Sequence, residues 1–326
     1  MKRGEFAKSL SYITAALGAG VSPALAESQR FSPITIGLVP ALRPLNMVRA
    51  LGTLERAGVP VKWVEFETVP PLATAMVAGA VDMGEADTSG IFAVLSKAPG
   101  VAWYVASVTA NYVAFVARTG AKITKVADIK GKTIATSGPN TAPQVVMELA
   151  MRKAGLVPSD ATFFTAPGSN HQALMEKGAV DGAISYVPFT SQMILSKVGQ
   201  LIFTASDVYG KPWPGGGNFV RQAFAKDHGD EVTEVLRHVQ RAQAVIRSHP
   251  KDTAVALAKL LQIDEATVSY SYEKKFVTEL PLLPDMHALL EQAELLHGAG
   301  LLKVEPKPFL TDLINPSFAL AAAKKH

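Results

Sequence analysis

Apolar positions along the chain switch between strand and helix periods. Ile34-Thr35-Ile36-Gly37-Leu38-Val39 is a short apolar run that predicts a buried strand. After Pro40 and Pro44, residues Met47, Ala50, Leu51 and Leu54 recur at helical spacing up to Gly58. Residues 61–68 alternate, with Lys62, Val64, Phe66 and Thr68 on one face and Trp63, Glu65 and Glu67 on the other. Leu72, Met76 and Val77 then predict a helix that stops at Gly79, with a strand from Val81. Further strands are predicted at 101–107, 112–117, 133–136 and 200–204, and a helix carrying Val145, Val146, Leu149 and Ala150 runs to Gly155. Trp213-Pro214-Gly215-Gly216-Gly217 reads as a loop, with Asn218-Phe219-Val220 as a strand behind it. From Lys226 the pattern is helical, interrupted at Pro250, Pro281 and Pro284 and closed by Gly298 and Gly300.

One unit of this pattern occurs twice. Gly79-Ala80-Val81-Asp82 returns as Gly178-Ala179-Val180-Asp181, 99 residues later. Each copy follows a helix-period run, Leu174 and Met175 preceding the second, and each leads into a short apolar strand. A strand, helix, strand unit in duplicate predicts two similar α/β lobes.

Composition narrows the class. A chain of 326 residues with 48% hydrophobic and 18% charged residues buries a large core, and its length suits two domains. The formal charge of +4 comes without a dense basic run with interleaved aromatics, which argues against a nucleic-acid surface. Lys2 and Arg3, an apolar run from Leu10 to Val21, and Ala24-Leu25-Ala26 read as an export signal cleaved after Ala26. Removing Lys2, Arg3, Lys8 and Glu5 from 32 basic and 28 acidic residues leaves 29 and 27, so the expected mature protein is nearly neutral. With no cysteine, the chain has neither a disulfide framework nor a thiol nucleophile. No later run approaches the roughly 20 apolar residues of a membrane span. The reading is a soluble exported protein.

Enzymatic signatures are missing. Gly131-Lys132-Thr133 resembles the end of a phosphate-binding loop, but Val126 stands where that loop needs glycine and a strand follows where it needs a helix. Glu65 and Glu67 sit on alternate strand positions and read as a solvated face. There is no Gly-x-Ser-x-Gly elbow or His-Glu-x-x-His, and the seven histidines lack metal-ligand spacing.

Residues 67–95, Val126-Ala127-Asp128-Ile129-Lys130-Gly131-Lys132, Ala154-Gly155-Leu156 and Glu176-Lys177-Gly178-Ala179-Val180-Asp181 together resemble exported solute-binding proteins of ABC importers. The subgroup resembled serves nitrate, taurine, aliphatic sulfonates and thiamine precursors. The resemblance implies a bilobal α/β fold of the type II periplasmic-binding-protein class, two open α/β lobes joined by two crossing segments. Crossings near 114–118 and 218–221 give residues 27–116 and 220–326 to a discontinuous first lobe and 117–219 to the second, after a signal peptide at 1–26. It further implies a non-catalytic, monomeric receptor in the periplasm, without cofactor or metal, that passes a small organic anion or zwitterion to an ABC permease with a cytoplasmic ATPase. An enzyme of the same fold acting on a small heterocycle or a sulfinate, and an exported sensory module, are the alternatives.

Candidate ligand residues follow from cleft position. In open α/β sheets ligands sit beyond the carboxyl ends of strands, where helix N-termini offer unpaired N–H groups. Asp87-Thr88-Ser89, Ser137-Gly138-Pro139-Asn140-Thr141 and Gly168-Ser169-Asn170 are such loops, and each polar residue in them equally suits capping of its own helix. From these loops Asp87, Thr88, Ser89, Ser137, Asn140 and Thr141 are taken as ligand residues. Leu42 and Arg43 follow the first strand, Arg43 reading either as an anion partner or as a surface arginine. Asp87 reads as a helix cap or as a partner for a ligand's ammonium group, and Glu85 with it argues against a purely anionic ligand. Tyr186, Phe189 and Trp213 read as an apolar wall or as core, and Asn218 stands on the returning strand.

Overall fold

The computed structural model describes residues 30–324 apart from 213, so the expected signal peptide and Trp213 lie outside the described residues. Two sheets form the frame. The first has the order β11-β4-β10-β3-β1-β2, from β1 (Ile34–Leu38), β2 (Val61–Glu65), β3 (Met83–Asp87), β4 (Ala102–Ala110), β10 (Pro214–Arg221) and β11 (Thr278–Glu279). The second has the order β7-β6-β8-β5-β9, from β5 (Val113–Arg118), β6 (Thr133–Thr136), β7 (Thr162–Thr165), β8 (Gly182–Tyr186) and β9 (Gly199–Thr204). β1, β2 and β3 are parallel, as are β6, β7 and β8. Each sheet then has an antiparallel strand, β10 between β3 and β4, and β5 between β8 and β9, and the first sheet adds β11 antiparallel to β4 at its edge. The two sheets thus share one plan, and the chain forms each of the strands β5 and β10 directly after crossing from the other sheet.

The repeated tetrapeptide holds equivalent corners of this plan. Gly79 and Gly178 adopt φ of +78° and +69° at the ends of α2 (Val69–Val77) and α5 (His171–Glu176), where a side chain would strain the turn. Asp82 accepts from the Thr35 N–H at 2.9 Å and pairs with Arg221 at 2.7 Å. Asp181 accepts from the Thr133 N–H at 3.0 Å and pairs with Arg118 at 3.3 Å. Each aspartate therefore ties the first parallel strand of its sheet to the end of the antiparallel one.

Two boundaries differ from the sequence expectation. Residues 114–118 and 218–221 are not the crossings but central strand segments of the second and first sheets. The chain changes sheets just before them, at Asn111 and Tyr112, and again between Thr204 and Pro214. The Pro-Gly-Gly-Gly run is strand instead of loop, because neighbouring side chains occupy the space above its α-carbons. A Cβ on Gly215 would lie 2.0 Å from the Tyr112 ring, one on Gly217 2.0 Å from the Tyr104 ring, and one on Gly216 2.4 Å from Thr109 Oγ1. The first helix is also shorter than its spacing, since α1 (Pro44–Leu51) ends where Gly52 turns left-handed.

Helices cover both faces of the first sheet. α1, α7 (Gly229–Ser248) and α8 (Pro250–Leu261) pack together, and Ile36, Leu45, Met47, Val235 and Leu236 are fully buried. α3 (Thr88–Leu95) and α10 (Met286–Gly298) lie against β10. α4 (Ala142–Lys153) and α6 (Phe189–Leu195) pack on the second sheet. α9 (Glu265–Glu273), from the C-terminal run, reaches α6, where the buried Ser271 and Ser191 hydroxyls lie 2.7 Å apart. Among the described residues no helix is long and apolar enough to cross a membrane.

Candidate functional site

The parallel strands of both sheets deliver their carboxyl ends to one cavity. Val39 and Arg43 follow β1, Thr68 and Val69 follow β2, and Asp87 ends β3. Ser137, Thr141 and Pro143 follow β6, Tyr186 ends β8, and Tyr112 stands between β4 and β5. The enclosed volume is about 20 Å³, room for on the order of one water molecule.

Charge in this region is concentrated and buried. Arg43 is 4% exposed, its Nη1 donates to the Glu85 carbonyl at 2.9 Å, and its guanidinium carbon lies 5.2 Å from the Tyr112 ring centroid. Glu85 lies behind the cavity wall, where its Oε2 accepts from the Leu45 N–H at 3.0 Å and so caps α1. Burial pushes the Glu85 carboxyl up to about 7, against the opposing pull of Arg43 and the Leu45 N–H. Asp87 caps α3 through the Gly90 N–H at 2.6 Å. Burial raises the Asp87 carboxyl to about 6, offset by the Gly90 N–H and by Arg43.

Hydroxyls complete the lining. Tyr112 Oη donates to the Gly215 carbonyl and Tyr186 Oη to the Glu67 carbonyl, both at 3.3 Å, and burial raises both phenols. Thr141 Oγ1 donates to the Gly138 carbonyl at 2.7 Å. Ser137 is 8% exposed, and its Oγ has no hydrogen-bond partner.

Of the residues singled out from the sequence, Arg43, Asp87, Ser137, Thr141 and Tyr186 meet at this cavity. The others lie around it. Leu42 is core. Thr88 Oγ1 lies 2.8 Å from both the Pro214 carbonyl and Gln292 Oε1, turned toward β10 and α10. Ser89 is buried, and Asn140 is exposed with φ +61°. The Phe189 ring packs edge-on against Tyr186 at 5.4 Å, where a Cβ on Gly168 would lie 2.5 Å from it. Asn218 is opposite Glu85 in the sheet and fully buried, with both amide atoms unpartnered. Val39, Thr68, Val69, Tyr112 and Pro143 were not singled out. Tyr112 carries no motif, and only the change of sheet brings it to the site. Among the described residues no cluster of metal-ligating side chains is present.

Residues 44–253 match the family described as NMT1/THI5 like. The chain belongs to that family. A Bacillus subtilis (strain 168) protein provisionally named an aliphatic sulfonates-binding protein is 23% identical over 262 residues, covering 77% of this chain and 76% of its own. The alkanesulfonate-binding protein SsuA from Xanthomonas axonopodis pv. citri, solved bound to MOPS, superposes with a TM-score of 0.76 at 21% identity over 90% of this chain and 100% of its own. The periplasmic nitrate-binding protein NrtA from Synechocystis PCC 6803 gives 0.76 at 12% identity, over 90% and 89%. This NMT1/THI5-like chain therefore has the periplasmic-binding-protein fold, and its cavity occupies the junction of the fold's two sheets.

Proposed function

We propose that this chain is the non-catalytic receptor of an ABC importer, which traps a small organic anion or zwitterion between two lobes and presents the closed form to a permease. The observation that carries the reading is a buried cavity lined from both sheets, with one guanidinium, one carboxylate and several hydroxyls converging on it. The sulfonate-binding and nitrate-binding names of its relatives support the substrate class. A cavity of about 20 Å³ is small for an organic solute, so entry requires the lobes to part along the crossings at Asn111–Tyr112 and 205–212. Closure over solute then needs tighter binding to the closed form than to the open one. We further propose export to the periplasm with cleavage after Ala26.

The test is calorimetry and small-angle scattering on refolded, solute-free protein with alkanesulfonates, taurine, nitrate and aromatic acids. Binding without turnover, together with a smaller radius of gyration at saturation, is expected. Chemical conversion of a bound solute, or no binding by any of them, sinks this reading. N-terminal sequencing of protein exported by its native host, starting at Glu27, is expected from the cleavage proposal.

A further inference from the structure

Asp87 is buried at the cavity without a charged partner. It is 4% exposed, and its Oδ1 accepts from the Gly90 N–H of the helix that follows it. Among the described residues neither Asp87 nor Glu85 forms a salt bridge. Arg43, the one cation lining the cavity, directs Nη1 to the Glu85 carbonyl and lies over the Tyr112 ring. Three hydroxyls of the lining are turned away, Tyr112 to the Gly215 carbonyl, Tyr186 to the Glu67 carbonyl and Thr141 to the Gly138 carbonyl. The loop before α4 brings another acceptor. The Asn140 carbonyl oxygen and Asp87 Oδ1 lie 2.8 and 2.9 Å from the point where a Cβ on Gly90 would stand, so two oxygens flank one small gap.

An oxyanion drawn to Arg43 adds a second negative charge to this space. Two anions close together and out of water are relieved when one of them takes a proton. Sulfonates and nitrate are anions of strong acids and do not accept it, which leaves the carboxyls. Glu85 is packed among first-sheet residues, with Oε2 on the Leu45 N–H and Asn218 opposite, so closure changes its surroundings little. Asp87 faces the second sheet. The titratable groups around it are Arg43 at the start of α1, Glu85 on its own strand, Tyr112, and Tyr186 at the end of β8. α2 and α3 carry no titratable residue, Glu67 before α2 is exposed, α4 begins Ala142-Pro143-Gln144, and β10 sets Gly216 opposite Asp87. Burial already raises the Asp87 carboxyl to about 6, and an anion beside it acts in the same direction. Once protonated, Asp87 turns from acceptor to donor and joins Arg43 and the unpartnered, buried Ser137 Oγ in facing the solute.

We propose that Asp87 takes up a proton from solvent when the site closes over an anionic solute, so that capture of the anion is proton-linked. This rests on the receptor reading above and adds its regulation by pH. A carboxyl that gains proton affinity on binding tightens binding as pH falls, and the gain is lost as pH rises through the raised value.

The test titrates ethanesulfonate calorimetrically into the refolded protein at pH 6.5, in phosphate and in imidazole, whose ionisation heats differ. The difference in observed heat gives the protons taken up, and about half a proton to one per solute is expected, with affinity falling about fivefold or more from pH 6 to pH 8. Asp87→Asn keeps a helix-capping side chain but has no carboxyl to protonate. It is expected to show no uptake, an affinity independent of pH, and tighter binding than wild type at pH 8. A wild type that binds without uptake overturns the proposal, as does a folded Asp87→Asn protein that retains the uptake, or a wild type that fails to bind ethanesulfonate at pH 6. Should the variant not fold, the wild-type proton count decides alone. Small-angle scattering separates the two readings. Compaction on ethanesulfonate without uptake removes the proton linkage and keeps the receptor. Uptake without compaction does the reverse.

Discussion

At the scale of single residues, two buried carboxylates dominate the chemistry. Glu85 and Asp87 are raised to about 7 and about 6, chiefly by burial, with Arg43 and backbone N–H groups pulling the other way. A carboxyl raised on folding binds its proton more tightly in the native state, so it stabilises the fold as pH falls from about 7 toward 4 and penalises it above. Each raised unit corresponds to about 1.4 kcal/mol, so each of these residues opposes folding at neutral pH by about 3 kcal/mol. Glu234 acts in the opposite sense, because the His238 ring 3.2 Å away and the hydrogen bond from Arg237 lower it to about 2, and that contribution is lost as pH falls from about 4 toward 2. Thermal midpoints are therefore expected to rise from pH 8 to about pH 5 and to fall below pH 4. Asp87→Asn is expected to flatten the slope between pH 5 and 7, and an unchanged slope would show that Asp87 is solvated.

At the scale of elements, the duplicated tetrapeptide is structural. Asp82 and Asp181 lie far along their chains from the residues they hold, yet each joins a strand-start N–H to an arginine at the end of a neighbouring strand. Hydrogen bonds to charged groups contribute about 1.5–3 kcal/mol each. Asp82→Ala and Asp181→Ala are each expected to lower unfolding free energy in urea by about 2–4 kcal/mol, and by similar amounts. Glu65, 69% exposed in its pair with Arg49, is the contrast, with Glu65→Ala expected to cost under about 1 kcal/mol. Unequal losses at the two aspartates would mean that the equivalence of the corners is geometric only.

At the scale of the whole molecule, α3, which follows a strand of the first sheet, meets α4 and the loop before it, which follow a strand of the second. A Cβ on Gly90 would lie 2.8 Å from the Asn140 carbonyl and 2.9 Å from Asp87 Oδ1. Gly90 has no left-handed φ to satisfy, so its small size serves this contact. Gly90→Ala is expected to hold the sheets apart and weaken solute affinity about tenfold or more, while helix propensity, which favours alanine by about 1 kcal/mol, keeps thermal stability near wild type. Calorimetry beside a thermal melt separates the two effects, and equal losses in both would place Gly90 in folding instead of closure. The Ser191 and Ser271 contact joins the C-terminal helices to the second sheet.

Much of this was legible in periodicity. Strands β1 to β6, β8 and β9, the helix ends at Gly79 and Gly178, and the duplication follow from local pattern, because burial of alternate or helically spaced side chains is a local demand on the sequence. The candidate loops after β3 and β6 and the arginine after β1 were legible for the same reason, as they follow from where strands stop. The glycine run of β10 was not legible, since its conformation depends on the rings of Tyr104 and Tyr112 lying across it. Nor were Tyr112 and Pro143, which reach the cavity only through the order of strands in space.

The sequence by itself determined the α/β class, the paired units and the presence of two carboxylates on one strand. Tertiary structure alone decided what Glu85 does. Asp87 caps the helix that follows it, as its position before Thr88 suggests, whereas Glu85 caps α1, which starts forty residues earlier in the chain. No local signal encodes the second cap, because a helix start and a carboxylate interact by distance in space, and that distance is set by the pairing of β3 with β1.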